Sequence, residues 1–164
     1  DADGARVRLG RAVHRLLEWI GQPGQPLPRE EWPAAAVAAA AWAGAEGGAD
    51  EVLANACRIV DSPDCARFFS GAALRWAGNE LPMAGEGRVL RLDRLVRLEA
   101  DGRRAWWVLD YKLAERPETL AAARDQLQGY VQALRLAQPG DEVGAGFITG
   151  EGRWVPLEDP ASAM

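Results

Sequence analysis

Two short runs, Val89–Leu98 and Trp106–Lys112, are joined across Asp101-Gly102, and they constrain this chain more than anything else in it. Both are rich in Val, Leu and Trp and read as strands, and the Asp-Gly dipeptide between them is a tight-turn signal. A hairpin across that turn brings Asp93 of the first run close to Asp110 of the second. Lys112 lies two residues past Asp110 and therefore points to the same face of its strand. Two carboxylates and a lysine on one sheet face can hold Mg²⁺ and activate water against a phosphodiester. Periodicity does not settle which face of the first strand is buried: Arg91, Asp93 and Leu95 alternate with Leu90, Leu92, Arg94 and Val96, and neither set is cleanly apolar. A surface ion pair between Asp93 and Arg94 is the plainer alternative for those two residues.

The rest of the chain divides into a helical half and a sheet half. Leu9–Ile20 carries an apolar stripe at helical spacing, Val13, Leu16, Leu17 and Ile20, with Gly21 as its C-terminal cap. Gly21 to Pro33 holds four prolines and two glycines and reads as a loop. Ala34–Ala43 has high helix propensity and is broken by the glycines that follow. A third helix is expected over Glu51–Val60. Asp61-Ser62-Pro63 then reads as the start of a fourth, over Asp64–Ala77. Glu80–Met83 reads as a short strand, Pro117–Ala137 as a long helix, and Gly144–Thr149 with Arg153–Leu157 as a closing hairpin over Gly150-Glu151-Gly152. The expected class is α+β: one domain over 1–164, mainly helical over 1–78 and sheet-containing over 79–164.

Composition sets limits. With 164 residues and 48% hydrophobic residues the chain can build a core, and it has no apolar run long enough to span a membrane. The net charge of −5 argues against tight, autonomous binding of DNA. It leaves room for an acidic catalytic site whose strand is held by other domains. Cys57 and Cys65 read as two buried thiols, or as a pair, and are too few for a four-cysteine cluster. There is no Walker-type glycine loop and no Gly-x-Ser-x-Gly elbow. The chain opens Asp-Ala-Asp-Gly without an initiator Met, which suggests a domain excised from a larger protein; a removed leader would look the same.

Three further places can carry chemistry. His14, the sole histidine, lies on the first helix with Glu18 one turn later, and is either a structural or simply exposed residue or a metal ligand. Gln126 and Tyr130 share one face of the long helix, either as surface and core residues or as a polar pair beside the site, contacting phosphate or a base. Glu80 is either an exposed strand-start residue or a group that reaches the same site.

Taken together, Gly10 to Glu18 with His14, Leu92-Asp93-Arg94-Leu95, Leu109-Asp110-Tyr111-Lys112 and Gln126 to Tyr130 resemble, in order, the motifs of the RecB-like nucleases of the PD-(D/E)xK superfamily. The resemblance implies a restriction-endonuclease-like core, a mixed sheet flanked by helices, with a helical N-terminal half. It implies Mg²⁺ or Mn²⁺ held by His14, Asp93, Asp110 and the Tyr111 carbonyl, with Asp93, Asp110 and Lys112 as the catalytic group. Gln126 and Tyr130 would contact DNA; Glu80, from its own position at the strand start, is a candidate support for the ligands. It further implies a deoxyribonuclease, exonuclease rather than endonuclease, acting on single strands or duplex ends in recombination and repair. The expected partners are helicase domains of UvrD/Rep or AddA-like type in the same bacterial, cytoplasmic polypeptide, and a second helicase–nuclease subunit. Leu90 stands where the family usually has Gly, Leu113 stands where Thr often follows the lysine, and no iron–sulfur cluster is expected. The alternatives are a nuclease-fold scaffold that no longer cuts, and an interaction module in which Asp and Lys form a structural ion pair.

Overall fold

The computed structural model describes residues 1–85, 88–113 and 120–158, with side chains throughout except at 83–90. The chain runs α1 (Ala2–Ile20), α2 (Trp32–Ala43), α3 (Ala49–Val60), β1 (Leu74–Gly85), β2 (Arg88–Ala100), β3 (Arg103–Lys112), α4 (Ala121–Ala137), β4 (Glu142–Thr149) and β5 (Trp154–Pro156). The five strands lie in sequence order in one sheet. Neighbours pair antiparallel except β3 and β4, which are parallel and joined through α4. This is the expected α+β arrangement, a mixed sheet with a helical N-terminal half.

Helices α1 to α3 cover one face of the sheet. Ala12, Val13, Leu16, Leu17 and Ile20 of α1 are buried against Ala36, Ala39, Ala40 and Ala43 of α2 and Val52, Ala56 and Ile59 of α3. The alanines of α2 bring no bulk to this contact, so the two helix backbones approach closely. Each fully buried leucine contributes about 1.5–3 kcal/mol relative to exposure. Gly44, at φ +74, ends α2 in the left-handed conformation that glycine adopts without penalty. On the other face Leu127, Tyr130, Val131 and Leu134 of α4 pack on Leu92, Leu95, Val108 and Phe147.

Three expectations need correction. The helix expected over Asp64–Ala77 is absent: a 3₁₀ turn at Ala66–Phe68 leads into Gly71 at φ +105, and Leu74 already pairs with Leu98. The Phe68 carbonyl is taken by the Arg94 side chain, and pairing with β2 overrides the helix propensity of the alanines. Glu80–Met83 is the end of a twelve-residue strand rather than a short one. The first helix starts at Ala2, seven residues earlier than its apolar stripe suggests. The start expected for α4 at Pro117 and the side chain of Leu90 lie outside the described residues. Cys57 and Cys65 are free thiols, so no disulfide pairs them.

The hairpin turn is as expected, with Asp101 at φ 54 and Gly102 at φ 76. It sets the β2–β3 register from Ala100↔Arg103 to Arg94↔Leu109. Near Asp93 the alternation of faces slips. Leu92 and Leu95, three apart, both pack under α4, while Asp93 and Arg94 between them both turn toward α1. Strand β1 slips at the same level: Asn79 and Glu80 both reach α1, and Glu80 sits at φ 50. A non-glycine residue there is strained, and such strain gathers at functional sites. The slip is why the sequence shows no clean alternation.

Candidate metal centre

Two helical turns of α1 and the slipped segments of β1 and β2 converge on one point. His14 and Glu18, four residues apart, share a face of α1. His14 Nε2 lies 3.0 Å from Glu80 Oε1, 3.5 Å from Glu18 Oε1 and 3.6 Å from Asp93 Oδ1. His14, Glu18 and Glu80 can each place a ligand atom within 4.8 Å of the others. Asp93 Oδ2 accepts the Tyr111 backbone N–H at 2.9 Å, just beyond the last β2–β3 pair, Arg94↔Leu109, which ties the cluster to the end of β3. Next along that strand-end, Lys112 Nζ lies 3.2 Å from Asp110 Oδ2. The Tyr111 ring is buried and meets the His14 ring edge-on at 5.0 Å.

The electrostatics of this cluster are unfavourable as it stands. Burial, then a hydrogen bond and the charge of Asp110, push the Asp93 carboxyl up to about 9 against the pull of the Tyr111 N–H. Burial and the charge of Glu80 raise Glu18 to about 6. Burial lowers His14 despite Glu80 beside it, so the imidazole is held toward its neutral form. Its Nε2 is buried and faces three carboxylates, with Glu80 Oε1 nearest at 3.0 Å. Three carboxylate oxygens crowd this nitrogen at 3.0–3.6 Å, and Arg15 Nη1 meets only the other oxygen of Glu18, at 3.3 Å. Ligands of an octahedral divalent ion at about 2.0–2.1 Å stand about 3 Å from one another. One imidazole nitrogen with carboxylate oxygens also suits Mg²⁺ or Mn²⁺. The donor set therefore fits a divalent cation.

The residues expected from sequence are partly regrouped here. His14, Asp93, Asp110, Tyr111 and Lys112 are brought together. Glu80, expected only as support, provides the carboxylate closest to His14. Glu18 was given no role, although its place one turn after His14 on the same helix face was the available signal. Tyr130 is buried; its hydroxyl donates to the Arg91 carbonyl and accepts from Gln126 Nε2, both at 3.0 Å. Gln126 is exposed at the edge of α4. The surface pair imagined for Asp93 and Arg94 does not form. Arg94 is fully buried, and it donates to the carbonyls of Phe68 and Gly21 and to Asn79 Oδ1 at 2.8–3.0 Å. Asn79 Nδ2 in turn donates to the Glu18 and Gly21 carbonyls, so β1 and β2 together clamp the end of α1 that carries Glu18. A cation at a helix C-terminus also meets the negative end of the helix dipole. The approach is so close that a Cβ on residue 21 would lie 2.5 Å from Arg94 Nη1, which gives Gly21 a reason beyond capping.

The family model of the PD-(D/E)XK nuclease superfamily matches residues 1–161 of the chain. No curated protein matches it.

Proposed function

The chain belongs to the PD-(D/E)XK nuclease superfamily, whose members use divalent metals, and from that premise we propose that it is a metal-dependent deoxyribonuclease domain. The observation that carries this reading is the convergence of Glu18, Glu80 and Asp93 on the buried His14 Nε2 at 3.0–3.6 Å. We assign His14, Asp93 and Asp110, with Glu80 and the Tyr111 carbonyl, to holding Mg²⁺ or Mn²⁺. The chemistry such a cation supplies when bound is Lewis acidity toward the phosphate and its water. Asp110 and Lys112, 3.2 Å apart, place a carboxylate and an ammonium side by side at the strand end. Lys112 there orients water and offsets charge building on the phosphoryl oxygens. The Tyr111 N–H fixes the Asp93 carboxylate, and the Arg94–Asn79 clamp fixes the height of α1 and with it His14 and Glu18. Gln126, exposed beside the site, is the member of the α4 pair open to DNA.

The four ordered motifs further support the RecB-like branch. In that reading the domain is an exonuclease fed by helicase domains of its own polypeptide in a bacterial cytoplasm, working in recombination and repair. Among the described residues no helix is long and apolar enough to cross a membrane. The Lys112–Asp110 contact on its own favours a structural ion pair, but that reading leaves the His14 cluster without a purpose. Asp110→Ala discriminates: cleavage of end-labelled DNA in Mn²⁺ is expected to fall at least about a thousandfold, a loss of about 4 kcal/mol in transition-state stabilisation, with the thermal melt intact. Undiminished cleavage by the pure variant overturns the assignment.

A further inference from the structure

An open cleft of about 500 Å³ runs from the carboxylate cluster along β1, between that strand and the C-terminal end of α1. Glu18 and Glu80 line it at the end that belongs to the metal centre. Away from them its lining is uncharged, and it includes two indoles, Trp19 from α1 and Trp76 from β1. Trp76 is 40% exposed and meets Trp106 edge-to-face at 5.7 Å. The end of its indole lies over Gly78, where a Cβ would come within 2.9 Å of Trp76 Cη2. Glycine two residues on, on the same face of the strand, leaves room for the ring to lie along β1. Strand β1 is the edge of the sheet, so its outer backbone groups have no strand partner among the described residues. The exposed amide of Gln22 also lies in the lining.

Resting on the nuclease reading above, we propose that this cleft is a nucleobase subsite in which an unpaired base stacks on Trp76. The charge pattern decides which part of a nucleotide goes where. No Lys or Arg lines the cleft among the described residues, and Arg97, opposite Trp76 in register, is ion-paired with Glu99 at 3.3 Å. The phosphate belongs at the carboxylate end, where a cation offsets its charge. What the neutral end offers is aromatic surface, a backbone edge and an amide, the combination that takes a base by its face and reads its rim weakly. The volume lies within the range of small-ligand sites and suits one or two bases. Bases inside a duplex are stacked and paired, so the cleft selects a single strand or a frayed end, and it does so next to the cutting centre.

Equilibrium binding of two labelled single strands of equal length and charge tests this, with Ca²⁺ present in place of the catalytic cation. One strand is oligothymidylate and the other is a fully abasic backbone. The wild-type chain is expected to bind oligothymidylate about tenfold more tightly than the abasic strand, the scale of one lost base–aromatic stack. Trp76→Ala is expected to remove that difference, and Trp76→Phe to keep most of it, with thermal melts showing both variants folded. Equal binding of the two strands by the wild type, no binding of either, or an unchanged preference in folded Trp76→Ala overturns the subsite. Failure of the nuclease reading looks different: Trp76-dependent preference for oligothymidylate would persist while cleavage proved independent of Asp110. Asp110-dependent cleavage without any base preference would instead remove the subsite and keep the nuclease.

Discussion

Asp93 and Arg94 are neighbours on one strand, both charged and both drawn toward α1, yet their surroundings differ in kind. Arg94 is completely enclosed and every contact suits it: four hydrogen bonds to two carbonyls and an amide oxygen, and the Phe69 ring 4.9 Å from its Cζ. Asp93 accepts one backbone N–H, but it also shares a hydrogen bond with the like-charged Asp110, feels the charge of Glu80, and lies 3.6 Å from His14 Nε2. A buried charge is tolerable when its hydrogen bonds are complete and costly when like charges surround it. The first residue therefore stabilises the fold, and the second is costly to it unless, as proposed, a cation offsets the charge around it. Stability and function sit one residue apart because the strand slips there and sends both side chains the same way.

The largest expected effect that separates them is on Arg94. Arg94→Met leaves the Phe68 and Gly21 carbonyls and Asn79 Oδ1 short of donors, at about 1–3 kcal/mol for each buried acceptor. A loss of at least about 3 kcal/mol in urea unfolding is expected, with or without metal. A variant within about 1 kcal/mol of wild type would show that the clamp is not structural. The smaller effect has the opposite sign. The Asp93 carboxyl is raised to about 9 in the folded state, above its ordinary unfolded value of about 4. Its contribution is thus fully present below that unfolded value and is lost as pH rises through about 9. Glu18, raised to about 6, acts in the same direction over a narrower window. Metal-free Asp93→Asn keeps an oxygen for the Tyr111 N–H and removes the titrating group, and with it the cost of holding that carboxyl protonated far above its unfolded value. At pH 8 it is expected to melt higher by about 2–4 °C, equivalent to about 1 kcal/mol in a domain near this size. A lower melting temperature would mean that the carboxylate stabilises the fold and belongs with Arg94.

Much of the fold was legible from local signals. The Asp101-Gly102 turn fixes the β2–β3 register, and that register places Asp93 beside the end of β3. The α1 stripe, the alanine helix and the closing β4–β5 hairpin were equally local. What was not legible depends on distant partners. Asp64–Ala77 reads as helix until β2 is there to pair with it. Arg94 reads as a surface residue until the carbonyls of Phe68 and Gly21, from two other segments, are placed around it. Glu80 becomes a close neighbour of His14 only through a positive φ that no side-chain pattern announces. Glu18 was within reach, since helical spacing alone puts it beside His14.

The most direct test of the central claim is calorimetric titration of the metal-free chain with Mn²⁺, alongside Asp93→Ala. Saturable binding by the wild type, weakened at least about tenfold in the variant, is the result the cluster of His14, Glu18, Glu80 and Asp93 predicts. A folded wild-type chain that takes up no Mn²⁺ at millimolar concentration, or a variant that binds as well as the wild type, would contradict it.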